Sequence, residues 1–281
     1  MINFLDYIKI LRPLNLFLSF FSVIITSWLL EQISSPIIPF IIVVVISFAG
    51  AANILNDIFD IKIDKINRPN RPLPSGKLKI KNAMIFSICL LLIGIYYSQY
   101  LHPFGRNIAL FIILPIIIIY TPILKKIPLI GNLVIGLILG FVFLFTESSI
   151  KGSIDKAWIP FYLATILSTI REIIKDAADI KGDAINNIKT FPRKFGLKST
   201  LWLIRFFTIL LYYISCIPWI NGIYNSYYIS LLIVGVIIPS FYIVFIKLKK
   251  ESNYLDYLES ARLFKAVTIS GLLVILSTGL S

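Results

Sequence analysis

The chain has 281 residues, 58% of them hydrophobic and only 15% charged, with a mean hydropathy of +0.88. Soluble domains carry about 25% charged residues, so this composition excludes an ordinary water-wetted globular protein. Two cysteines and one histidine exclude a disulfide framework, a thiolate metal site and histidine-based catalysis.

Apolar blocks recur along the whole chain, at residues 14–31, 37–58, 82–101, 107–124, 129–147, 157–178, 199–219, 226–247 and 262–280. Each matches the roughly 20 residues that a helix needs to cross a hydrocarbon layer about 30 Å thick. Strands of a spanning barrel would alternate polar and apolar residues, whereas these runs are apolar all round. The expected fold is therefore all-α: a polytopic membrane protein with nine transmembrane helices in a bundle. No small-residue cleavage pattern precedes Glu31, so the first block reads as a retained span. No linker or composition break divides the blocks, and one domain over residues 1–281 is expected.

Charge gives the orientation. With nine spans, the N-terminus shares a side with the loops after the even-numbered spans, and 24 of the 27 Lys and Arg residues fall on that side. Only Arg106, Lys151 and Lys156 lie opposite. The positive-inside rule puts the N-terminus and the even loops in the cytoplasm, with the C-terminus outside. The net charge of +13 then reflects topology and attraction to anionic headgroups in the bilayer, not a nucleic-acid partner.

The 14 carboxylates are not scattered. Along the second block, Asn53, Asn56, Asp57, Asp60 and Asp64 fall within an arc of about 100° on one helix face. Along the sixth, Glu172, Asp176, Asp179 and Asp183 fall within about 60°. The stripes share a register, since Asn53 to Glu172, Asp57 to Asp176, Asp60 to Asp179 and Asp64 to Asp183 are each 119 residues apart. An internal pseudo-repeat relating 53–64 to 172–183 is expected. Like charges on one face at a helix C-terminus are unfavourable without a cation among them. Oxygen-only ligands point to a hard cation such as Mg²⁺, which readily shares a few carboxylates with substrate phosphates. Basic residues follow each stripe: Arg68 and Arg71 the first, Lys189, Arg193 and Lys194 the second, with Lys125 after Tyr120 at the end of the fourth block. A diphosphate bridged by metal is the expected occupant, in a central cavity opening to the cytoplasmic side.

The stretch from Asn56 to Asp64, followed by Asn67-Arg68-Pro69-Asn70-Arg71-Pro72-Leu73-Pro74-Ser75-Gly76, resembles the first signature of the UbiA superfamily of intramembrane prenyltransferases. Asp176-Ala177-Ala178-Asp179-Ile180-Lys181-Gly182-Asp183, with Thr190 and Pro192, resembles the second. The resemblance implies transfer of an isoprenoid from its diphosphate with Mg²⁺ held between the motifs. It implies metal ligands among Asn56, Asp57, Asp60, Asp64, Asp176, Asp179 and Asp183, with Asp60, Asp64, Asp179 and Asp183 central to catalysis. Arg171-Glu172-Ile173-Ile174-Lys175-Asp176 and the stretch from Tyr120 through Lys125 to Asn132 are most similar to the archaeal branch that adds a second geranylgeranyl group to a glycerol phosphate lipid. That branch implies a prenyl diphosphate donor and a lipid phosphate acceptor, with Arg68, Arg71, Lys125, Lys189, Arg193 and Lys194 binding phosphates. Asn187 stands where the family usually has a glycine, so an altered loop is expected there. The quinone branch, which prenylates an aromatic ring, is the alternative acceptor class. A membrane transporter is the alternative of another class, but its carboxylates belong mid-span, not at helix ends beside basic loops. The oligomeric state is left open by the sequence.

Overall fold

The computed structural model describes residues 4–185 and 189–278, apart from the side chains of Asn67, Lys181 and Ile185. Asn187 lies outside the described residues. Every regular element among these residues is helical: α1 (Phe4–Ile10), α2 (Pro13–Leu29), α3 (Ile38–Phe59), α4 (Ile61–Asn67), α5 (Ile80–Ser98), α6 (Pro103–Tyr120), α7 (Ile130–Lys151), α8 (Trp158–Ala178), α9 (Ile180–Ile185), α10 (Phe191–Ile220), α11 (Ser226–Lys247) and α12 (Tyr254–Ser277). A short turn at Leu124–Lys126 links α6 to α7.

Against the expected nine spans, seven helices are long and apolar enough to cross a membrane, and α1 with α2, bent by 57°, makes an eighth if the pair is one span. The expected sixth span is α8, a 21-residue helix whose final segment carries Arg171, Glu172, Lys175 and Asp176. Its charge, not its length, keeps it out of that count. Large apolar side chains face outward, among them Phe111, Phe206, Tyr213 and Val234, as suits a lipid-facing surface. Cys89 and Cys216 are free thiols.

The core has two halves. Val23, Ile41, Phe48, Ile108 and Phe145 join α2, α3, α6 and α7; Ile170, Ile174, Ile204, Val244 and Phe264 join α8, α10, α11 and α12. A third cluster with Ile25, Phe143, Phe161 and Leu272 stitches them together. The α7–α8 seam is a close backbone approach. A Cβ on Gly136 would lie 2.6 Å from the Thr165 carbonyl oxygen, and one on Gly140 2.8 Å from that of Phe161. These glycines therefore set backbone-to-backbone packing. At the other end of the seam the fully buried Glu147 accepts hydrogen bonds from the backbone N–H groups of Asp155, Lys156 and Ala157 at 3.0, 3.1 and 2.8 Å. That carboxylate ties down the backbone N–H groups of the turn that leads into α8.

The helices that frame the site break in matching ways. Asp60 ends α3 with φ −89° and ψ 5°, and α4 continues beyond it; Asp179 ends α8 with φ −89° and ψ 4°, followed by α9. Each break turns a stripe of carboxylates around a corner. A third break lies between α1 and α2, where Arg12 adopts φ 55° and ψ 72° ahead of Pro13. A left-handed conformation is rare for a residue with a side chain and marks a position held by its surroundings.

Candidate active site

A cavity of about 720 Å³ lies between the two halves of the bundle. One end is polar and receives the corners of α3–α4 and α8–α9; the rest runs between α7, α8 and α12 over apolar side chains such as Ile138, Val142, Phe143, Leu167 and Leu272. This volume falls within the range of small-ligand pockets, about 300–1,000 Å³.

Of the first stripe, Asn53, Asn56, Asp60 and Asp64 line the cavity. Lys125 donates to the Asp60 carboxylate and to Asn56 Oδ1, the latter at 3.3 Å. Asp64, almost fully buried, accepts from Arg71 Nη1 at 2.6 Å and has Arg68 Nη1 at 3.7 Å. Burial raises its pKa above the ordinary carboxylate value, against the pull of Arg71. Asn53 Nδ2 donates to the Leu11 carbonyl at 2.9 Å, tying α3 to the segment before Arg12. Asp57 differs from the expectation of a metal ligand at the cavity. It is 2% exposed, is absent from the lining, and accepts from Arg12 and, at 3.0 Å, from Arg71 Nη1.

Of the second stripe, Glu172, Asp176, Asp179 and Asp183 all line the cavity. Asp176 accepts from Asn132 Nδ2 at 2.7 Å, and Asp183 from Thr190 Oγ1 at 3.0 Å. Burial pushes the Asp183 carboxyl up to about 6, although the Thr190 hydroxyl opposes the shift. Asp179 accepts from Arg68 Nη2 at 2.9 Å, so one guanidinium reaches Asp64 in the first stripe and Asp179 in the second. Burial disfavours the Arg68 charge, but Asp179 and Asp64 outweigh it and hold its pKa above the ordinary value. Glu172 pairs with Lys175 and lies 3.8 Å from Arg171. Tyr120 and Asn132 also line the cavity.

The basic residues sort differently from the sequence expectation. Arg68, Arg71 and Lys125 line the cavity; Lys189, Arg193 and Lys194 do not. Arg193 Nη1 donates to the Asp183 carbonyl at 3.2 Å, bracing α9 from behind, while Lys194 sits 5.1 Å from the centre of the Phe195 ring. Five other cations do line it: Arg12, Arg171, Lys175, Arg262 and Lys265. Arg12 is brought in by the α1–α2 bend, and its buried Nε has no partner among the described residues. Arg262 and Lys265 were detectable as two cations inside an apolar block on the helix face shared with Ala261, Thr268 and Leu272.

Among the described residues no three acidic, histidine or cysteine groups are close enough to hold a metal ion by themselves. The donor set nevertheless fits a hard divalent cation that takes phosphate oxygens as further ligands. Every candidate donor is oxygen, and Asp176 and Asp183 each have a neutral hydrogen-bond donor and no salt bridge among the described residues.

A model of the UbiA prenyltransferase family matches residues 16–258. A relative from Methanosphaera stadtmanae, named digeranylgeranylglyceryl phosphate synthase, is 31% identical over 250 residues, covering 88% of this chain and 91% of that protein. A solved structure described as digeranylgeranylglyceryl phosphate synthase in membranes is 29% identical, with a TM-score of 0.73 over 98% of this chain and 97% of the other. A structure of an Archaeoglobus fulgidus UbiA homologue bound to GPP and Mg²⁺ is 16% identical, with a TM-score of 0.69 over 96% and 99% of the two chains.

Proposed function

The chain belongs to the UbiA prenyltransferase family, and on that premise we propose that it transfers a geranylgeranyl group from geranylgeranyl diphosphate to geranylgeranylglyceryl phosphate. The product is digeranylgeranylglyceryl phosphate, an intermediate of ether-lipid synthesis. The observation that carries this reading is the facing pair of carboxylate stripes at the polar end of the cavity, joined by Arg68 and flanked by Arg71 and Lys125.

In this reading the acceptor hydroxyl oxygen bonds to the first carbon of the prenyl chain, the bond from that carbon to the diphosphate oxygen breaks, and the hydroxyl proton is released. Asn56, Asp60, Asp64, Asp176, Asp179 and Asp183 would hold Mg²⁺, whose positive charge favours departure of the diphosphate. Arg68, Arg71 and Lys125 hold the phosphate oxygens and neutralise the charge that develops as the bond breaks. Lys125 and Arg68 are poised for this, because each is engaged by a carboxylate that the metal would take over. Asp57 serves differently, fixing Arg12 and Arg71 at the cavity wall. The apolar end takes the C20 chain and keeps water from the allylic centre.

The same reading has nine crossings in one domain, with α8 the sixth, and the N-terminus and acidic corners on the cytoplasmic side. The stripes are halves of a pseudo-repeat, supported by the equal backbone angles at Asp60 and Asp179. A cysteine introduced at exposed Ser75 is then labelled from the cytoplasm, and one at exposed Lys151 only from outside. Activity is tested by incubating the purified chain with Mg²⁺, geranylgeranyl diphosphate and either geranylgeranylglyceryl phosphate or a hydroxybenzoate. Ether formation on the lipid that is lost in excess chelator is the expected result. Preferential prenylation of the aromatic ring would move the assignment to the quinone branch.

A further inference from the structure

The cavity holds more cations than its diphosphate end employs. Arg12 and Arg71 are engaged by Asp57, Arg71 and Arg68 by Asp64, Arg68 by Asp179, and Lys125 by Asp60. On the opposite wall Arg171 and Lys175 share the single carboxylate of Glu172. Arg262 and Lys265 line the same wall and make no ion pair or side-chain hydrogen bond among the described residues.

Their position on a cavity wall favours an anion that joins them. At a rise of about 1.5 Å per residue, Arg262 and Lys265 lie roughly 12 and 16 Å along α12 from its first residue, Tyr254. That places them past the charged first turns with Asp256 and Glu259 and at the start of the apolar block, where ionisable groups face cavities or partners. α12 packs directly against α8, and Arg171 is close enough to act electrostatically on Lys265. Like charges gathered on one cavity wall repel one another and attract a multivalent anion.

We infer that Arg171, Arg262 and Lys265 form a second anion subsite, distinct from the diphosphate end, which holds the phosphate of the acceptor lipid. This rests on the reading of the chain as a lipid phosphate prenyltransferase and adds to it the residues that select the acceptor. The ligand class is a dianionic phosphomonoester on an apolar tail. The tail has a path from this wall, because the lining face of α12 continues into Leu272 and Ile275. Arg171 also lies 3.8 Å from Glu172, which puts this subsite beside the second stripe.

The test uses the full chain in lipid nanodiscs, with Mg²⁺, geranylgeranyl diphosphate, and either geranylgeranylglyceryl phosphate or the corresponding alcohol without phosphate. Arg262→Gln and Lys265→Met should each raise the apparent KM for the lipid phosphate about tenfold or more and reduce discrimination against the alcohol. The KM for the prenyl diphosphate should stay within about twofold, which also reports that the variants fold; Lys265→Arg should restore the lipid KM. Arg262→Gln, at an exposed position, keeps the test open should Lys265→Met not fold. An equal rise in both KM values, or an unchanged lipid KM with discrimination intact, overturns the subsite while leaving the enzyme assignment standing. No turnover of the lipid phosphate by the wild-type chain overturns the acceptor reading and the subsite with it.

Discussion

The two acidic corners have nearly the same backbone and opposite electrostatic surroundings. At the α3–α4 corner, Asp57, Asp60 and Asp64 are each matched by a cation: Arg12, Arg71, Arg68 or Lys125. At the α8–α9 corner, Asp176 and Asp183 have the neutral donors Asn132 and Thr190, and of the three aspartates only Asp179 has an ion pair among the described residues, with Arg68 of the first corner. The first corner is thus largely neutral as it stands, with stability and chemistry drawing on the same ion pairs. The second relies more on neutral hydrogen-bond donors. Removing Asp57, which does not line the cavity, should therefore affect mainly stability, and removing Asp183 mainly activity.

The largest effect sharpens this contrast. Asp183→Asn removes a charge with no salt-bridge partner among the described residues, so kcat/KM should fall by about 10³ or more, roughly 4 kcal/mol in transition-state stabilisation, while the melting temperature changes little. Asp57→Asn should do the reverse, lowering thermal stability with a smaller loss of turnover, because Asp57 only holds Arg12 and Arg71. Equal activity losses at both positions with unchanged melting would erase the distinction.

Next comes the cation side of the first corner. Arg71→Ala leaves Asp57 and Asp64 buried with one arginine each, and breaking a buried pair from one side costs about 3–5 kcal/mol. Since Arg71 is about one quarter exposed and both carboxylates keep a second partner, a loss nearer 2 kcal/mol is expected in detergent unfolding measurements. A stability equal to wild type would mean that the ion pairs of the first corner are incidental.

A smaller effect separates the corners by pH. With its pKa raised to about 6, Asp183 is ionised at neutral pH and becomes protonated as the pH falls through that value. A protonated carboxyl is a poor metal ligand, so the Mg²⁺ concentration for half-maximal activity should rise below about pH 6. In Asp183→Asn the rise should disappear from whatever activity remains. The smallest effect lies at the far end of the bundle, where Lys156 is 3.9 Å from the exposed Glu31. Lys156→Ala should change turnover less than twofold and stability by under about 0.5 kcal/mol.

The long apolar helices and the carboxylate stripes were legible along the chain because each depends on a local repeat: apolar run length for the first, helical periodicity for the second. The same periodicity misjudged Asp57. Its angle about α3 placed it in the stripe, but the left-handed turn at Arg12 delivers a guanidinium to that flank and seals the carboxylate into the wall. Lys189, Arg193 and Lys194 follow the second motif closely in sequence, yet they lie outside the cavity lining, whereas Arg262 and Lys265 reach it from about 80 residues further along.

The sequence by itself determined that this is a membrane-embedded helical protein with two oxygen-donor stripes, because spacing along one helix fixes which of its side chains share a face. Which cations complete the site was decided only by the tertiary structure. That choice depends on how α2, α8 and α12 are turned toward one another across the cavity, and rotation between distant helices leaves no periodic trace in the chain.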